Sequence, residues 1–526
     1  MAAAEPHPLR RLAAWWRERG ETVDADRRQS ELVLARWIFV RALGAIFALA
    51  FASLWLQIDG LVGSRGILPI GEYLGAVRER YGSALVRQLP TMCWWSASDA
   101  SLHAQCGVGT ACSLALCFGL APRLNLALAW LLYLSLSVAG QDFLWFQWDA
   151  LLLEAAFFAF FFAPGGWRST LAKDGRPPPW SVFLVRWLCF RLMLASGAVK
   201  LTSGDATWRA LTALEFHYQT QPIPTPLAWY AHHLPDGWQR ASCAIMFAIE
   251  LGLPWFALGP RRMRIAAGLG LVLLQVLIAL TGNYGSFNLL AIVLCVPLFD
   301  DALLARVLPR AWMRRLPGLP PARATEPAVS ATSRWRGRGG WAFAIGLACM
   351  TAAMLVSRLD RSLAAMDPLR RVEAWIAPLR TLNTYGLFAV MTTERDEITI
   401  EGSRDGIEWR AYEFRYKPGD LGRAPPWVAP HMPRLDWQMW FAALGRVRDN
   451  FWFQRLLERL LEGSEPVLAL FEKNPFEDSP PKLVRARLSR YAFTSADQRA
   501  ESGAWWTSSS RGSYAPTVSL SDFARH

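Results

Sequence analysis

Charged side chains are scarce in this sequence. Only 19% of its 526 residues are Asp, Glu, Lys or Arg, whereas 53% are hydrophobic and 27 are Trp. This composition excludes an ordinary soluble enzyme and predicts a polytopic α-helical membrane protein with a separate polar region. Lysine is especially rare, with 5 of the 56 basic residues, which is typical of a GC-rich bacterial genome.

Cysteine is absent after Cys349. The fold of the C-terminal region therefore cannot depend on disulfides, even in an oxidising compartment. Cys106, Cys112 and Cys117 lie close together in the sequence but lack His partners at zinc-ligand spacing. Small buried hydrophobic residues are the favoured interpretation of these three cysteines. We predict no metal site.

The net charge of +13 is distributed unevenly along the chain. Residues 379–526 contain 20 Lys and Arg against 19 Asp and Glu, so the positive excess belongs to the hydrophobic part. A nucleic-acid-binding protein needs a basic face on a folded surface, whereas basic loops between apolar helices set membrane topology. The sequence therefore predicts no nucleic-acid partner.

Nine apolar runs approach the length of a membrane-spanning helix, and several are near the short end of the roughly 17–25 residues required. We therefore expect about nine spans. The runs are 37–57, 103–121, 124–140, 144–163, 181–199, 239–258, 264–281, 286–299 and 341–357.

Basic residues collect in alternate loops between these runs. Because Lys and Arg resist translocation, the basic loops are expected in the cytoplasm and the N-terminus with them. No small-residue cleavage site follows a short apolar core, so we expect no removable signal peptide. The basic loops are 121–123, 164–180, 259–263 and 300–340, and the acidic or uncharged short loops are 141–143 and 282–285.

This topology divides the chain into five parts. The last of them lies outside the cytoplasm, which in a bacterium means the periplasmic side of the inner membrane. The parts are a cytoplasmic segment (1–36), a transmembrane helical bundle (37–299) with outer loops 58–102 and 200–238, a basic cytoplasmic linker (300–340), the last transmembrane helix (341–357) and a periplasmic β-rich domain (358–526).

The hydrophobic pattern changes to period two after Leu382. Two short strands are predicted around the hairpin turn 403–406, where Gly406 can adopt positive φ. A helical pattern covers about 434–462, and 483–493 alternates again as a strand. The sequence therefore predicts a small β-rich, β-sandwich-like domain with a helical insert.

Ionisable side chains occur inside the apolar runs, where they are costly unless they face a bundle interior or a polar cavity. Asp149 and Glu154 lie in the fourth run, and Lys200 lies at the end of the fifth. A buried ion-pair network is one interpretation. The alternative is an active-site cleft in which Lys200 and His217 lie over Asp149, because a buried Lys can act as a base.

Residues 430–445 read PHMPRLDWQMWFAALG and place charges and indoles together. Arg434 and Asp436 lie at the expected helix start, where Asp436 can cap the helix or favour its positive end. Trp437 and Trp440 suit an interface where the ring is buried and the N–H stays wet. The structural interpretation is an amphipathic helix on the domain or the bilayer. The functional one is a client-binding edge formed by these four residues.

Four further residues are interpreted as structural. His431 follows Pro430 without any partner at catalytic spacing. Asn383, Tyr385 and Gly386 are expected to start a strand, and Gly386 marks a close approach of two chain segments.

The whole segment Asn383 to Gly445 resembles the lipase maturation factor family. The likeness covers most of the chain from Leu54 onward and implies a polytopic membrane protein with a polar C-terminal domain on the lumenal side. Two departures are His431-Met432-Pro433, where the family often has His-Gln-Pro, and the tail TSSSRGSYAP. Further matching stretches are FQWDALLLE (146–154), SGAVKLTSGDATWRALTALEFHYQTQPIPTPLAWYAHHLP (196–235) and GNYGSFN (282–288).

A weaker similarity concerns only the first half of the chain. The span layout and the stretch GSRGILPIG at 63–71 resemble the membrane region of vitamin K-dependent carboxylases, whose chemistry occurs at a membrane-embedded site. This similarity keeps an integral-membrane enzyme, acting on a lipid or an exported protein, as an alternative.

The preferred function follows from the first resemblance. We expect a bacterial, membrane-anchored maturation factor that helps exported proteins, lipases among them, to fold or assemble. Its expected partners are the exported client and membrane lipids. Such a holding chaperone needs no cofactor.

Overall fold

The computed structural model describes residues 32–309, 331–359 and 367–523. Most of the predicted cytoplasmic segment 1–36 lies outside these ranges, as do residues 310–330 of the predicted linker. We refer to residues 32–309 and 331–359 together as the helical bundle, and to residues 381–523 as the C-terminal region.

The helical bundle is built from helices of very different lengths. In chain order they are α1 (Val33–Trp55), α2 (Ile58–Val62), α3 (Ile70–Tyr81), α4 (Asp99–Cys117), α5 (Pro122–Ala139), α6 (Gln147–Phe162), α7 (Pro179–Thr202), α8 (Ala206–Arg209), α9 (Ala213–Thr220), α10 (Pro226–His232), α11 (Asp236–Phe247), α12 (Leu253–Ala257), α13 (Arg261–Thr281), α14 (Phe287–Cys295), α15 (Asp301–Val307) and α16 (Ala331–Leu359). Helix α17 (Asp367–Ile376) links the bundle to the C-terminal region.

Six helical segments of the described chain are long and apolar enough to cross a membrane. They are Val33–Trp55, Pro122–Ala139, Pro179–Thr202, Asp236–Ala257, Arg261–Thr281 and Gly337–Leu359. The three other expected runs are also helical, as α4, α6 and α14, but α6 has 16 residues and α14 has 9. The fold thus has six candidate spans, and the count of nine stays a prediction.

Local sequence explains where several helices begin. Pro122 and Pro179 occupy the first turns of α5 and α7, where the fixed φ of proline suits a helix and its missing N–H costs no hydrogen bond. Ser98 accepts a hydrogen bond from the N–H of Ser101 at the start of α4. Asp205 caps α8 in the same way through the N–H groups of Thr207 and Trp208.

Glycine lets α1 and α4 pack closely. A Cβ atom on Gly44 would lie 2.9 Å from the carbonyl oxygen of Ser113, and a side chain on Gly109 would overlap the ring of Phe51. Small residues at such contacts allow the backbones of membrane helices to approach each other.

The C-terminal region contains six strands: β1 (Arg395–Ser403), β2 (Arg410–Ala411), β3 (Glu413–Phe414), β4 (Phe471–Lys473), β5 (Leu483–Phe493) and β6 (Trp506–Val518). Strands β2, β1, β5 and β6 form one antiparallel sheet in that order, and β3 pairs with β4. Ile398 lies opposite Leu488 and Ile400 opposite Ala486, and both isoleucines are buried. The antiparallel strands are confirmed, whereas a sandwich of two facing sheets stays a prediction.

Helices fill the connections between the strands. They are α18 (Arg434–Ala443), α19 (Phe451–Glu462), α20 (Glu465–Leu468) and α21 (Ala496–Ser502), and a last short helix, α22 (Leu520–Phe523), follows β6. The single helical pattern expected over 434–462 is therefore divided into α18 and α19. Helix α19 buries one apolar face and ends at Gly463, whose φ of 69° is the left-handed conformation that glycine adopts readily.

Two further expectations can be compared with the strands. The turn at 403–406 joins β1 to β2, and Gly406 has a φ of 80°, as the hairpin prediction requires. The strand expected at 483–493 is β5. One hydrophobic core includes buried residues from both the bundle and the C-terminal region, so the C-terminal region is packed against the helices.

The close packing of α1 on α4 yields a first prediction. Gly44→Val should lower the apparent melting temperature of the detergent-solubilised protein, because the new side chain meets the backbone of α4, and overpacking costs about 1–3 kcal/mol. Gly75→Ala is the matched control, since a Cβ at Gly75 meets nothing within 4 Å. Equal melting temperatures for both variants would contradict this packing.

Candidate functional site

An ion pair joins the C-terminal region to the helical bundle. Arg434, at the start of α18, donates from its two terminal nitrogens to both carboxylate oxygens of Asp149, over 2.6 and 2.8 Å. The Tyr133 hydroxyl donates to the same carboxylate over 2.6 Å. The side chains of Arg434 and Asp149 are 3% and 1% exposed. Burial alone would lower the pKa of Arg434, but the Asp149 carboxylate raises this pKa above its ordinary value and keeps the guanidinium charged.

The starts of two helices position this pair. Asp149 lies in the first turn of α6, where the unpaired N–H groups of the helix favour a carboxylate. Arg434 follows Pro433, and its own backbone N–H donates to the side-chain oxygen of Gln57 over 2.8 Å. Arg434 is therefore held in place both at its backbone N–H and at its guanidinium.

A second buried charge lies about one turn further along α6. Glu154 forms an ion pair with Arg191 of α7, and both side chains are almost fully buried. The backbone N–H and the side-chain amide of Asn383 donate to Glu154 over 3.0 and 3.1 Å, and the Tyr385 hydroxyl donates to the same oxygen. Arg191 in turn donates to the carbonyl of Asn383 over 3.0 Å. Residues of the C-terminal region thus complete the ligation of an acidic side chain of the bundle.

Gly386 follows directly in the same segment. Its N–H donates to the side-chain oxygen of Gln147 over 2.9 Å, and a Cβ at this position would lie 2.8 Å from Val199. The expectation that Asn383, Tyr385 and Gly386 start a strand is wrong, because residues 381–386 belong to no strand. Their polar groups bond to the bundle instead of to a neighbouring strand.

His431 contacts the C-terminal end of α1. The Ser53 hydroxyl accepts the N–H of Met432 over 3.0 Å and lies 2.9 Å from Nδ1 of His431. This distance allows the hydroxyl to donate to Nδ1 of a neutral imidazole. Burial, with the charges of Arg434 and Arg415, lowers the pKa of His431 from 6.5 to about 4.

Asp436 forms its hydrogen bonds inside the C-terminal region. Its Oδ1 accepts the backbone N–H groups of Tyr416 and Lys417, each over 2.9 Å. Burial raises the pKa of this carboxyl, although these two N–H bonds oppose the rise. The expectation that Asp436 caps the helix is wrong, because its hydrogen bonds go to a neighbouring chain segment, but Asp436 does lie in the first turn of α18, where a carboxylate favours the positive end of the helix.

Trp437 and Trp440 are not on the surface. They are 2% and 8% exposed, so both rings are buried as expected, but the expectation that their N–H groups stay in water is wrong. The ring of Trp437 packs 4.8 Å from that of Trp148, and the N–H of Trp440 donates to the carbonyl of Thr220 over 2.8 Å. Both rings are therefore buried in the contact between α18 and the bundle. The role of Trp437, Trp440, Arg434 and Asp436 in binding a client stays a prediction.

A third charged cluster lies where β1 meets the 200–238 loop. Glu397 bonds Arg395 over 2.8 Å and Lys417 over 2.8 Å, and all three side chains are buried. Arg395 also donates to the carbonyls of Gln219 and Pro222, over 2.9 and 2.8 Å. A buried guanidinium thus satisfies loop carbonyls that would otherwise lack donors.

These contacts lie at one end of the bundle, and we call the contact region the junction. On the bundle side it consists of the C-terminal end of α1, the N-terminal end of α6, the loop at 219–222 and the turn at Asn283. On the side of the C-terminal region it consists of the segments 383–386 and 426–440. Asn283 accepts the N–H of Val428 over 2.8 Å and donates to the carbonyl of Pro426 over 2.8 Å.

The structure does not bring together all three residues of the enzyme alternative, Lys200, His217 and Asp149. Lys200 and His217 line one cavity, but Asp149 is not among its lining residues and is bound by Arg434 and Tyr133. Lys200 pairs with Glu250 over 2.6 and 2.9 Å. Among the described residues, no three His, Cys, Asp or Glu side chains form a group that could hold a metal ion.

Sequence reasoning missed several of these residues. Glu250 is an acidic residue within the apolar run 239–258, and that position alone could have indicated a buried partner for Lys200. Arg395 and Glu397 lie two positions apart in β1, so their charged side chains are on the same face of that strand. The serine, glutamine and asparagine partners at 53, 57 and 283 carried no comparable signal.

This geometry defines a class: a polytopic membrane protein whose polar C-terminal region is held against one end of its helical bundle by buried ion pairs and hydrogen bonds. Two family models match the chain, the lipase maturation factor transmembrane domain at residues 34–306 and the lipase maturation factor C-terminal domain at residues 381–516. The chain belongs to the lipase maturation factor family.

Similar proteins carry the same name. Lipase maturation factor 2 of Homo sapiens is 36% identical over 93% of this chain and 83% of its own length. The protein of that name from Gallus gallus is 36% identical over 93% and 82%, respectively. Lipase maturation factor 1 of Bos taurus is 35% identical over 93% and 90%. No solved structure matches the chain.

The Arg434–Asp149 pair generates a second prediction. Arg434→Gln should destabilise the protein by about 3–5 kcal/mol, because it leaves the Asp149 carboxylate buried without its cation. Combining it with Asp149→Asn should recover part of that loss, as measured by thermal unfolding in detergent. The control is Arg410→Gln, whose exposed pair with Glu408 contributes at most about 1 kcal/mol. An Arg434 variant as stable as this control would show that the pair does not hold the junction.

The neutral His431 generates a third prediction, on pH. Folding lowers the pKa of His431 from 6.5 to about 4, so between these pH values the unfolded chain binds a proton at this side chain and the folded chain does not. The contribution of neutral His431 to the free energy of unfolding is therefore complete above pH 6.5 and is lost as the pH falls towards 4. We expect the melting temperature to fall over this interval, and to fall less steeply in His431→Gln. Curves of melting temperature against pH that run parallel in the two proteins would contradict the prediction.

Proposed function

We propose that this protein is a membrane-anchored maturation factor that assists the folding or assembly of exported proteins, lipases among them. The observation that carries the proposal is the relationship to proteins named lipase maturation factors over 93% of the chain, through both the bundle and the C-terminal region. The junction adds a physical reason, since it fixes a polar region with strands against a membrane-embedded scaffold.

The proposed location is a bacterial inner membrane, with the N-terminus in the cytoplasm and residues 358–526 in the periplasm. The argument is charge: the loops at 164–180 and 259–263 are basic, whereas the C-terminal region docks beside the weakly charged loops 141–143 and 282–285. Gln438 bonds the carbonyl of Asp142 in the first of these loops, and Val428 bonds Asn283 in the second. A client leaving the membrane on that side would meet the C-terminal region first.

The client surface we propose is the outer edge of α18 and the start of α19. Phe441, Leu444 and Phe451 are 41%, 50% and 65% exposed, while Trp437 and Trp440 beside them are buried. The buried indoles and the Arg434–Asp149 pair hold α18 in place, and the three exposed side chains provide an apolar patch of the kind that binds protein partners.

The alternative of a membrane enzyme, with its weaker carboxylase-like resemblance, has one supporting observation. Lys200 and His217 line the same cavity. Against it, both oxygens of Asp149 are engaged by Arg434, and Lys200 is paired with Glu250, so neither is available as the free base that the alternative requires. The maturation factor is therefore the preferred function.

A fourth prediction tests this function. In cells that export a lipase from the same organism, replacing Phe441, Leu444 and Phe451 together by Ser should lower the yield of active lipase at least about tenfold. Truncating interface anchors costs roughly 1 kcal/mol or more each, and about 3 kcal/mol in total weakens client binding by roughly a hundredfold. The measurement is lipase activity per amount of lipase protein in the exported fraction, compared with deletion of the whole gene.

The matched control replaces Val390, Ile407 and Leu421 by Ser, because these side chains are also exposed but lie outside the junction and outside α18 and α19. Both triple variants must reach the membrane at the wild-type level and melt at similar temperatures. Unchanged lipase yield in the deletion strain would end the proposed function. Equal yields from the two triple variants would instead reject the surface and leave the function standing.

A further inference from the structure

The bundle contains a cavity of about 430 Å³ with mostly apolar walls. Its lining comes from α7, α9, α11 and α13 and from Leu387 and Phe388 of the C-terminal region. The volume lies within the roughly 300–1,000 Å³ that is typical of small-molecule sites. The proposed function uses none of this space.

The rim of the cavity points to a ligand that comes from the membrane. Leu227, Leu234, Leu277 and Leu280 line the cavity, and each is between 40% and 51% exposed. Leu277 and Leu280 belong to the candidate span Arg261–Thr281. Exposed leucines on a membrane-spanning helix face hydrocarbon, so an apolar molecule can enter sideways from the bilayer without crossing water.

The charges in the wall are balanced. Lys200 and Glu250 both line the cavity and form a buried ion pair with each other. The remaining polar lining groups are uncharged, such as Ser196, Gln275 and Thr281. A charged ligand would have no free counter-charge among these side chains, so the wall suits a neutral molecule.

His217 supplies an acceptor in this wall, and its hydrogen-bond partners fix which nitrogen is free. The amide nitrogen of Gln221 donates to the carbonyls of Tyr218 and Thr281, over 3.2 and 2.8 Å, so its oxygen must accept. The Tyr284 hydroxyl donates to that oxygen over 2.7 Å. The oxygen of Tyr284 then accepts from Nε2–H of His217 over 3.2 Å.

Nδ1 of His217 is consequently a lone-pair acceptor. It is buried and has no hydrogen-bond partner in the described part of the chain. Burial, with the charge of Lys200, lowers the pKa of His217 to about 4, so the ring is neutral at physiological pH. A buried acceptor without a donor is costly, and a ligand hydroxyl would satisfy it.

We propose that this cavity binds a neutral, single-chain lipid from the bilayer. Its hydroxyl head group lies beside His217 and donates to Nδ1 after a small shift of the side chains that cover this nitrogen, and its hydrocarbon chain lies between α7, α11 and α13 and leaves past Leu277 and Leu280. The site goes beyond the proposed function, because binding of the lipid requires no client protein.

A fifth prediction compares two probes, mono-oleoylglycerol and methyl oleate, which share the chain but differ in the hydroxyl. Binding of each to the full-length protein in nanodiscs is measured by native mass spectrometry. We expect one mono-oleoylglycerol per protein, bound about tenfold more weakly by His217→Phe, since one buried hydrogen bond is worth roughly that factor. His217→Gln keeps both a donor for Tyr284 and an acceptor for the lipid, and should bind nearly as the wild type does.

Two bulky substitutions provide the spatial control. Ala231→Trp fills this cavity and should abolish binding of both probes. Ala127→Trp enters a second apolar cavity, beside Trp130 and Phe157, and should leave binding unchanged. The proposal is overturned if His217→Phe weakens methyl oleate as much as mono-oleoylglycerol, if Ala231→Trp binds normally, or if Ala127→Trp removes binding. Loss of lipid binding with normal lipase yield would leave the maturation function intact.

Discussion

The buried ion pair between Arg434 and Asp149 is the constraint on which the arrangement of this protein depends. Each charge has left water, so either one alone would carry a desolvation cost of several kcal/mol. The two charges come from opposite sides of the junction, and they stay compensated only while the C-terminal region is seated on the bundle. Other buried charges contribute hydrogen bonds across the junction: Asn383 and Tyr385 of the C-terminal region donate to Glu154, whose ion pair with Arg191 lies within the bundle, and Arg395 donates to the loop carbonyls. The C-terminal region is therefore a fixed part of the membrane protein and not a tethered domain.

Fixing the region in this way decides which of its side chains can meet a partner. The residues that looked most suited to binding, Trp437 and Trp440, are used to seat α18, and this leaves Phe441 and Leu444 at its outer edge. A holding surface close to the membrane needs such a division, because apolar side chains that are free to move would collapse onto the lipid or onto each other. The buried indoles and the ion pair hold α18 so that Phe441 packs 5.7 Å from the ring of Phe146 on one side and stays 41% exposed on the other.

Sequence reasoning succeeded where the signal is local. Apolar runs gave the helices, β5 was expected at 483–493, and Gly406 marked the hairpin, because each depends on residues within a few positions. The candidate site depends on partners far apart in sequence, and these were harder. Period and capping rules could place Asp436 at a helix start but could not show that its carboxylate bonds the Tyr416 N–H. Asp149 was expected to need a partner, yet nothing in the sequence identified Arg434. Lys200 differs, because its partner Glu250 is an acidic residue in an apolar run and could have been recognised from that position.

The junction and the lipid cavity share a wall, and this links the two halves of the molecule. Phe388, two residues after Gly386, lines the cavity, while Gly386 itself is bonded to Gln147 at the junction. Tyr284 lines the cavity, holds His217 in its tautomer, and packs 5.9 Å from the ring of Trp437. A molecule in the cavity therefore touches side chains that also seat the C-terminal region. Because a ligand that binds only the folded state stabilises it, an occupied cavity would stabilise the junction as well. The membrane therefore contributes to the fold in two ways. It is the apolar solvent around the spans, and it is the source of the lipid that fills the cavity.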